Sequence, residues 1–270
     1  MAEQTRSGSW DLRFGLRRWR ARWTLTLYPE AREASGAWQP AGRSRGPSAG
    51  GGDPERSRQE AARRAQGKIR RYCAANELNR LGTVTYVGEG CHDSDQVRAD
   101  VAEFFKRLRG GIVVKHMPKR RGIDAGTDFP YVWVPQWHPG GHGLHVHFAV
   151  GRYIPRGVIE GAWPHGFVHI KLLSDLSTRS GPLEEARLAA RYLARYVGAQ
   201  LDDERRRSGL HRYEVGQGFQ PVEVKLYGES AEELIERVSQ EFGARPTRVW
   251  HSEGTEGWHG PPACWAQWPA

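Results

Sequence analysis

The chain has 270 residues and a formal net charge of +9, enough for one good-sized domain with appendages. Arginine supplies most of the positive charge, because lysine occurs only at Lys68, Lys106, Lys115, Lys119, Lys171 and Lys225; a planar guanidinium suits phosphate and base edges, so nucleic acid is the first partner to consider. Cys73, Cys91 and Cys264 form no CxxC pair, which argues against a zinc ribbon, and no apolar run reaches the length of a membrane span, so a cytoplasmic protein without a membrane partner is expected.

Residues 1–53 mix tryptophan and arginine with the stretch SGAWQPAGRSRGPSAGGGD and read as a basic, flexible N-terminal segment. WTLTLYP within it has the composition of a strand, with no partner nearby. A helix then starts at Asp53 as N-cap and Pro54 at N1, and PERSRQEAARRAQGKIRRYCAANEL gives it a basic face. LGTVTYV is a strand by its β-branched and aromatic content. Asp93 or Ser94 caps DQVRADVAEFFKRLRGG, in which Val97, Val101, Phe104, Phe105 and Leu108 form a helical stripe.

After the basic loop KHMPKRRG come two strands, YVWVPQW and LHVHFAV, joined by HPGGHG, whose Gly140 and Gly141 suit a hairpin turn. GFVHIKLL is a further strand, and Ser180 and Pro182 open the long helix PLEEARLAARYLARYVGAQL. VEVKLY precedes a capping box, Ser230 to Glu233, that starts AEELIERVSQEFG and stops at Gly243. A tail rich in Trp, Gly and Pro follows, and its Trp250, Trp258, Trp265 and Trp268 are expected to cap the domain. No GxxxxGK[ST] loop is present, which excludes a phosphate-loop motor of the common kind. The order of elements predicts an α+β fold, an antiparallel central sheet covered on one side by helices. Residues 54–228 are the expected main domain and 229–270 a C-terminal helix with its tail.

Residues two apart on a strand share a face, so His145 and His147 point together while Leu144, Val146 and Phe148 point to the opposite face and can pack on helices. Two imidazoles on one face are half a metal site, or else part of a solvated surface. The neighbouring strand brings Gln136 and His138 to the other side of the hairpin, where one of them can complete a three-ligand set. In the long helix Tyr192 and Tyr196 are four apart and share a face, with Arg195 between them; such pairs serve core packing as readily as catalysis.

HVH after a hairpin, the upstream LGTVTY strand and the downstream YLARY together resemble the three motifs of rolling-circle replication initiators of the HUH endonuclease superfamily, over about residues 67–227. The two tyrosines are similar to those of phage gene A-type initiators, and WVPQWHPGGHGLHVHF and HRYEVGQGFQP resemble actinobacterial plasmid Rep proteins. The resemblance implies an HUH endonuclease domain of ferredoxin or RRM-like fold with a basic N-terminal extension. It also implies a divalent metal, Mg²⁺ or Mn²⁺, on His145, His147 and Gln136. The family often has a carboxylate where Gln136 stands, so His138 is the runner-up for the third ligand, followed by Glu89 and Asp93.

The implied reaction is attack by a tyrosine on single-stranded or hairpin origin DNA, leaving a 5′-phosphotyrosine and a free 3′-hydroxyl that primes synthesis. Tyr192 ranks first because Arg195 takes the place of the family's lysine three residues on; Tyr196 is the second nucleophile or its structural neighbour. Contacts to DNA are expected from Arg70, Arg71, Lys115, Lys119, Arg120, Arg121, Arg205 and Arg206, with Trp133 and Trp137 as candidate base-stacking platforms. A host helicase and polymerase are the implied partners. Two other readings stay open: a single-strand transposase of the same superfamily, and a non-cleaving DNA-binding regulator on the same fold.

Overall fold

A computed structural model of the chain describes residues 22–40, 54–110, 128–171, 181–199, 212–256, 258 and 260–270. In chain order its elements are β1 (Arg22–Tyr28), β2 (Glu33–Gln39), α1 (Pro54–Ala75), β3 (Arg80–Tyr86), α2 (Ser94–Gly110), β4 (Tyr131–Trp137), β5 (Leu144–Val150), α3 (Arg156–Ala162), β6 (Gly166–Lys171), α4 (Pro182–Ala199), β7 (Glu214–Val215), β8 (Val224–Gly228), α5 (Ala231–Phe242), β9 (Arg248–His251) and β10 (Ala263–Gln267). They fall into two units, Gly52–Pro221 and a second composed of Met1–Gly51 with Val222–Ala270.

In the first unit β3, β4, β5 and β6 with α2 and α3 run β-α-β-β-α-β, and the antiparallel sheet has the order β6-β3-β5-β4-β7. This is the ferredoxin or RRM-like topology, the α+β architecture the sequence predicts. Asp93 is the residue that caps α2: its Oδ1 accepts the backbone N–H groups of Asp95 and Gln96. The predicted stripe of α2 is buried in full and packs with Val84, Val146, Phe148, Val158 and Trp163 into one apolar cluster. Gly82 belongs to this face, and a Cβ there would run into the Phe148 ring on the neighbouring strand.

The sheet is covered on both faces, not on one as the order of elements suggests. On the second face Leu81, Val132, Val134 and Ala149 pack with Ile69, Tyr72 and Cys73 of α1 and Ala189, Ala190, Leu193 and Val197 of α4. The small alanine face of α4 lets α1 lie close against it, and Gln66 Nε2 on α1 donates to the Ala194 carbonyl of α4 at 3.1 Å. Tyr72 donates its hydroxyl to the Gly216 carbonyl at 2.9 Å, tying α1 to the turn after β7. Asp53, the expected cap of α1, lies outside the described residues.

The second unit corrects the reading of the two chain ends. WTLTLYP is a partnered strand: β1 pairs with β2 and, from the far end of the sequence, with β8 in a five-stranded sheet of order β8-β1-β2-β10-β9. Residues 22–39 are therefore sheet, not a flexible segment, and β8 belongs with this sheet although its segment reads as the end of the main domain. The tail likewise contributes two strands, β9 and β10. Residues 1–21 and 41–53, the rest of the expected N-terminal segment, lie outside the described residues.

Helix α5 begins as its capping box predicts, with Ser230 Oγ accepting the Glu233 N–H at 3.0 Å, and ends at Gly243 in the left-handed conformation. Its Leu234, Ile235 and Val238 pack on Leu25, Leu27, Cys264 and Trp268. Trp268 is fully buried there and donates its indole N–H to Ser239 Oγ at 3.0 Å, so the buried polar atom is satisfied. Among the described residues no helix is long and apolar enough to cross a membrane.

Candidate active site

The β4–β5 hairpin closes over Gly141 and Gly143, both with positive φ, and this turn fixes the register that builds the site. Gln136 pairs with His145, and Thr83 on β3 pairs with His147. Paired residues on antiparallel strands project to the same face. Gln136 Oε1 accordingly lies 2.9 Å from His145 Nε2 and 2.7 Å from His147 Nε2. Thr83 Oγ1 lies 2.9 Å from the other ring nitrogen of His147, Nδ1.

Both imidazoles are buried, so the solvated strand face is excluded. Burial pushes His145 down to about 4, with His138 a smaller cause. It pushes His147 down to about 3, with His145 and Lys171 adding to the effect. Both rings are neutral at neutral pH, the state in which a ring nitrogen can bind a metal.

Two imidazole nitrogens and an amide oxygen about 3 Å apart are spaced as adjacent ligands of a cation bonded at roughly 2.1 Å. With Nε2 of His147 on a metal, its Nδ1 proton would face Thr83 Oγ1, the outer hydrogen bond that orients a ligating histidine. His145 Nδ1 is buried with no such partner among the described residues. The donor set fits a divalent cation, with Thr83 backing one of its two imidazoles.

Among the described residues no group of three or more His, Cys, Asp or Glu side chains is placed to hold a metal. The third donor beside the pair is thus the Gln136 amide. His138 stands in the next layer: its ring lies 5.4 Å from His145 and 5.2 Å from His142, and its Nδ1 accepts the Gly140 N–H at 3.0 Å. Asp93 is engaged at the α2 cap, and Glu89 is exposed on the loop after β3.

Helix α4 brings both tyrosines to this pair. The Tyr196 ring stacks on His147, with centroids 3.8 Å apart and 9° between planes, and Tyr192 meets His147 edge-on at 5.8 Å. Burial, then a hydrogen bond to Tyr192, holds the Tyr196 phenol well above the usual tyrosine range. The Arg195 guanidinium carbon lies 4.9 Å from the centroid of the Tyr192 ring.

Two residues of this site are missing from the sequence reading. Lys171, the last residue of β6, holds its Nζ 4.2 Å from the Tyr192 ring centroid, and Thr83 backs His147. Both sit at alternating positions of strands that the sequence does predict, GFVHIKLL and LGTVTYV. What was missing is the pairing of β6 with β3, which sets His169 opposite Thr83 and Lys171 opposite Leu81.

Of the expected DNA contacts, Arg70 and Arg71 are half-buried on α1, and Arg71 lies close enough to Tyr213 to act on its phenol. Lys115, Lys119, Arg120, Arg121, Arg205 and Arg206 lie outside the described residues. Trp133 is buried in the apolar cluster with α2, and Trp137 packs against the same cluster, so neither offers a free face to a base.

Residues 79–201 match the family model of the replication-associated protein ORF2. That segment runs from just before β3 to just past α4 and contains Thr83, Gln136, His145, His147, Lys171, Tyr192 and Tyr196. The match bears out the resemblance to rolling-circle replication initiators and ties this unit to the initiation of DNA replication. No curated protein and no solved structure gives a match.

Proposed function

We propose that this chain, with a replication-associated protein domain over residues 79–201, initiates rolling-circle replication by nicking single-stranded origin DNA with a tyrosine. The observation that carries the reading is the convergence of His145 Nε2, His147 Nε2 and Gln136 Oε1 on one point of a sheet face, beside two phenols on α4. A divalent cation held by these three residues, Mg²⁺ or Mn²⁺, would supply the positive charge that polarises a non-bridging phosphate oxygen. Imidazole donors suit manganese better than magnesium.

The chain's own groups do the rest. The Tyr192 oxygen bonds to phosphorus while the bond from phosphorus to the 3′-oxygen breaks. The phenol proton passes to solvent and the departing 3′-oxygen takes one up, so protons balance. A phenol is a weak nucleophile until a positive field favours its anion, and Lys171 and Arg195 provide that field at the Tyr192 ring. The products are a 5′-phosphotyrosine and a 3′-hydroxyl primer. The phosphotyrosine ester conserves the energy of the bond broken, so Tyr196 can act in the closing transfer without ATP. Unwinding and synthesis fall to a host helicase and polymerase, since the sequence holds no phosphate-loop motif.

The test is incubation of the full chain with Mn²⁺ and a pool of random-sequence single-stranded oligonucleotides labelled at the 3′ end. The expected result is a labelled adduct that survives denaturation, absent with Tyr192→Phe and with His147→Ala. Binding of the pool without any adduct would overturn the nuclease and leave a non-cleaving regulator. An adduct that persists in Tyr192→Phe would move the first attack to Tyr196.

A further inference from the structure

β6 is the edge strand of its sheet, and its residues divide between two environments. Val168 and Ile170 pack against the apolar cluster of α2 and α3. Phe167, His169 and Lys171 are exposed on the opposite side, and pairing in register sets them beside Thr85, Thr83 and Leu81. Thr83 in turn pairs with His147, so the exposed row lies on the same sheet face as the histidine pair. Helix α4 packs over β3, β4 and β5, which leaves this outer row open. Phe167 is 69 % exposed, an aromatic face presented to solvent on a rigid strand.

We propose that this row is the track on which single-stranded DNA lies beside the site, with a base stacked on Phe167 and a backbone phosphate held by Lys171 next to Tyr192. The inference rests on the nuclease reading for its substrate. Three observations favour an unpaired strand as the occupant. An exposed aromatic ring on a sheet takes any base by its π-face only when that base is unstacked. Lys171 and Arg195 at the Tyr192 end of the row complement a phosphate in a chain of net charge +9. The row is also continuous with the donor set through Thr83. Strand geometry puts Phe167 and Lys171 about 13 Å apart, room for about two nucleotides of extended strand, so the stacked base lies about two nucleotides from the phosphate attacked.

The test is fluorescence anisotropy of a fluorescein-labelled oligothymidylate, titrated with the full chain over a range of salt. Because Phe167 and Lys171 are exposed, Phe167→Ala, Phe167→Trp and Lys171→Gln should melt like the wild type. Phe167→Ala is expected to weaken binding roughly five- to hundredfold, the range of a lost base stack, while Phe167→Trp retains it. Lys171→Gln is expected to flatten the dependence of log affinity on log salt by about 0.7, one phosphate contact on a single strand. Unchanged affinity in Phe167→Ala overturns the track, as does an equal loss for a duplex of the same length. If wild type forms the covalent adduct and Phe167→Ala binds normally, the track alone falls. If no adduct forms but binding depends on Phe167, the nuclease reading falls and the track stands. If wild type binds no single strand, both fall.

Discussion

The imidazole of His147 lies flat on the ring of Tyr196, with centroids 3.8 Å apart and 9° between the planes. Tyr192 crosses Tyr196 at 78°, 5.1 Å away, so one imidazole and two phenols form a single cluster joining the middle of β5 to α4. The distance between the donor set and the phenols is therefore set by ring packing, not by a mobile loop. Any repacking of α4 is felt at His147.

This packing separates two substitutions. Tyr196→Phe keeps the ring and should change the stability of the unit by less than about 1 kcal/mol, whereas Tyr196→Ala removes the stack and should cost about 2–4 kcal/mol. Urea unfolding of the two variants measures the difference. Equal stability would mean that the stack contributes nothing to holding α4 on the sheet.

Thr83 offers a test of the outer hydrogen bond. Its hydroxyl can accept the Nδ1 proton that His147 carries once Nε2 binds a metal, and valine, of nearly the same shape, cannot. Thr83→Val should weaken Mn²⁺ binding by roughly ten- to hundredfold, and Thr83→Ser should restore most of it. Calorimetric titration of Mn²⁺ into each variant reads this without any DNA. Equal affinity in all three would remove Thr83 from the site.

What the sequence reveals and what it hides divide along the range of the interactions. The alternation of LHVHFAV, the glycine hairpin before it, the α2 stripe and the Ser230 cap are local patterns, and each is found where the sequence puts it. The sheet of the second unit is hidden because its strands meet across nearly the whole chain: Lys225 Nζ donates to Thr26 Oγ1 from 199 positions away. β2 is hidden further by its composition, since EASGAWQ carries glycine and alanine, poor strand formers, in place of a β-branched run. In the site, the histidine pair and the tyrosine pair each show a period of their own. Lys171 and Thr83 do not, because their roles exist only once β6 and β5 flank β3.

The buried thiols give a prediction in alkaline solution. Burial raises Cys264 to about 11 from an ordinary 9.0, with Glu232 adding to it and a backbone hydrogen bond opposing; burial raises Cys73 further. A folded-state value above the unfolded one means that the stability is fully present below pH 9 and is lost as pH rises toward 11. Urea midpoints should fall across that window, and the fall should be smaller in Cys264→Ala. Disulfide-exchange reagents should reach Cys91, which is half-buried, well before Cys73 or Cys264. A midpoint that does not move from pH 9 to pH 11 would contradict the burial of the thiolate-forming groups.

Gln136 decides what kind of cation site this is. As an amide it adds an oxygen to two neutral imidazoles and no charge, so the set attracts a cation through dipoles alone. Gln136→Glu puts a carboxylate where the family resemblance often has one, and affinity at such sites rises with ligand charge. Mn²⁺ binding should tighten by about tenfold or more, because a full negative charge in a buried site adds at least about 1.4 kcal/mol. Gln136→Leu, which keeps the bulk and removes the oxygen, should weaken binding by at least a similar factor. The two variants bracket the wild type only if Oε1 is a ligand. If calorimetry at neutral pH finds all three equal, the third donor is not on β4 opposite His145. His138, whose ring lies 5.4 Å from that of His145, would then be the residue to substitute next.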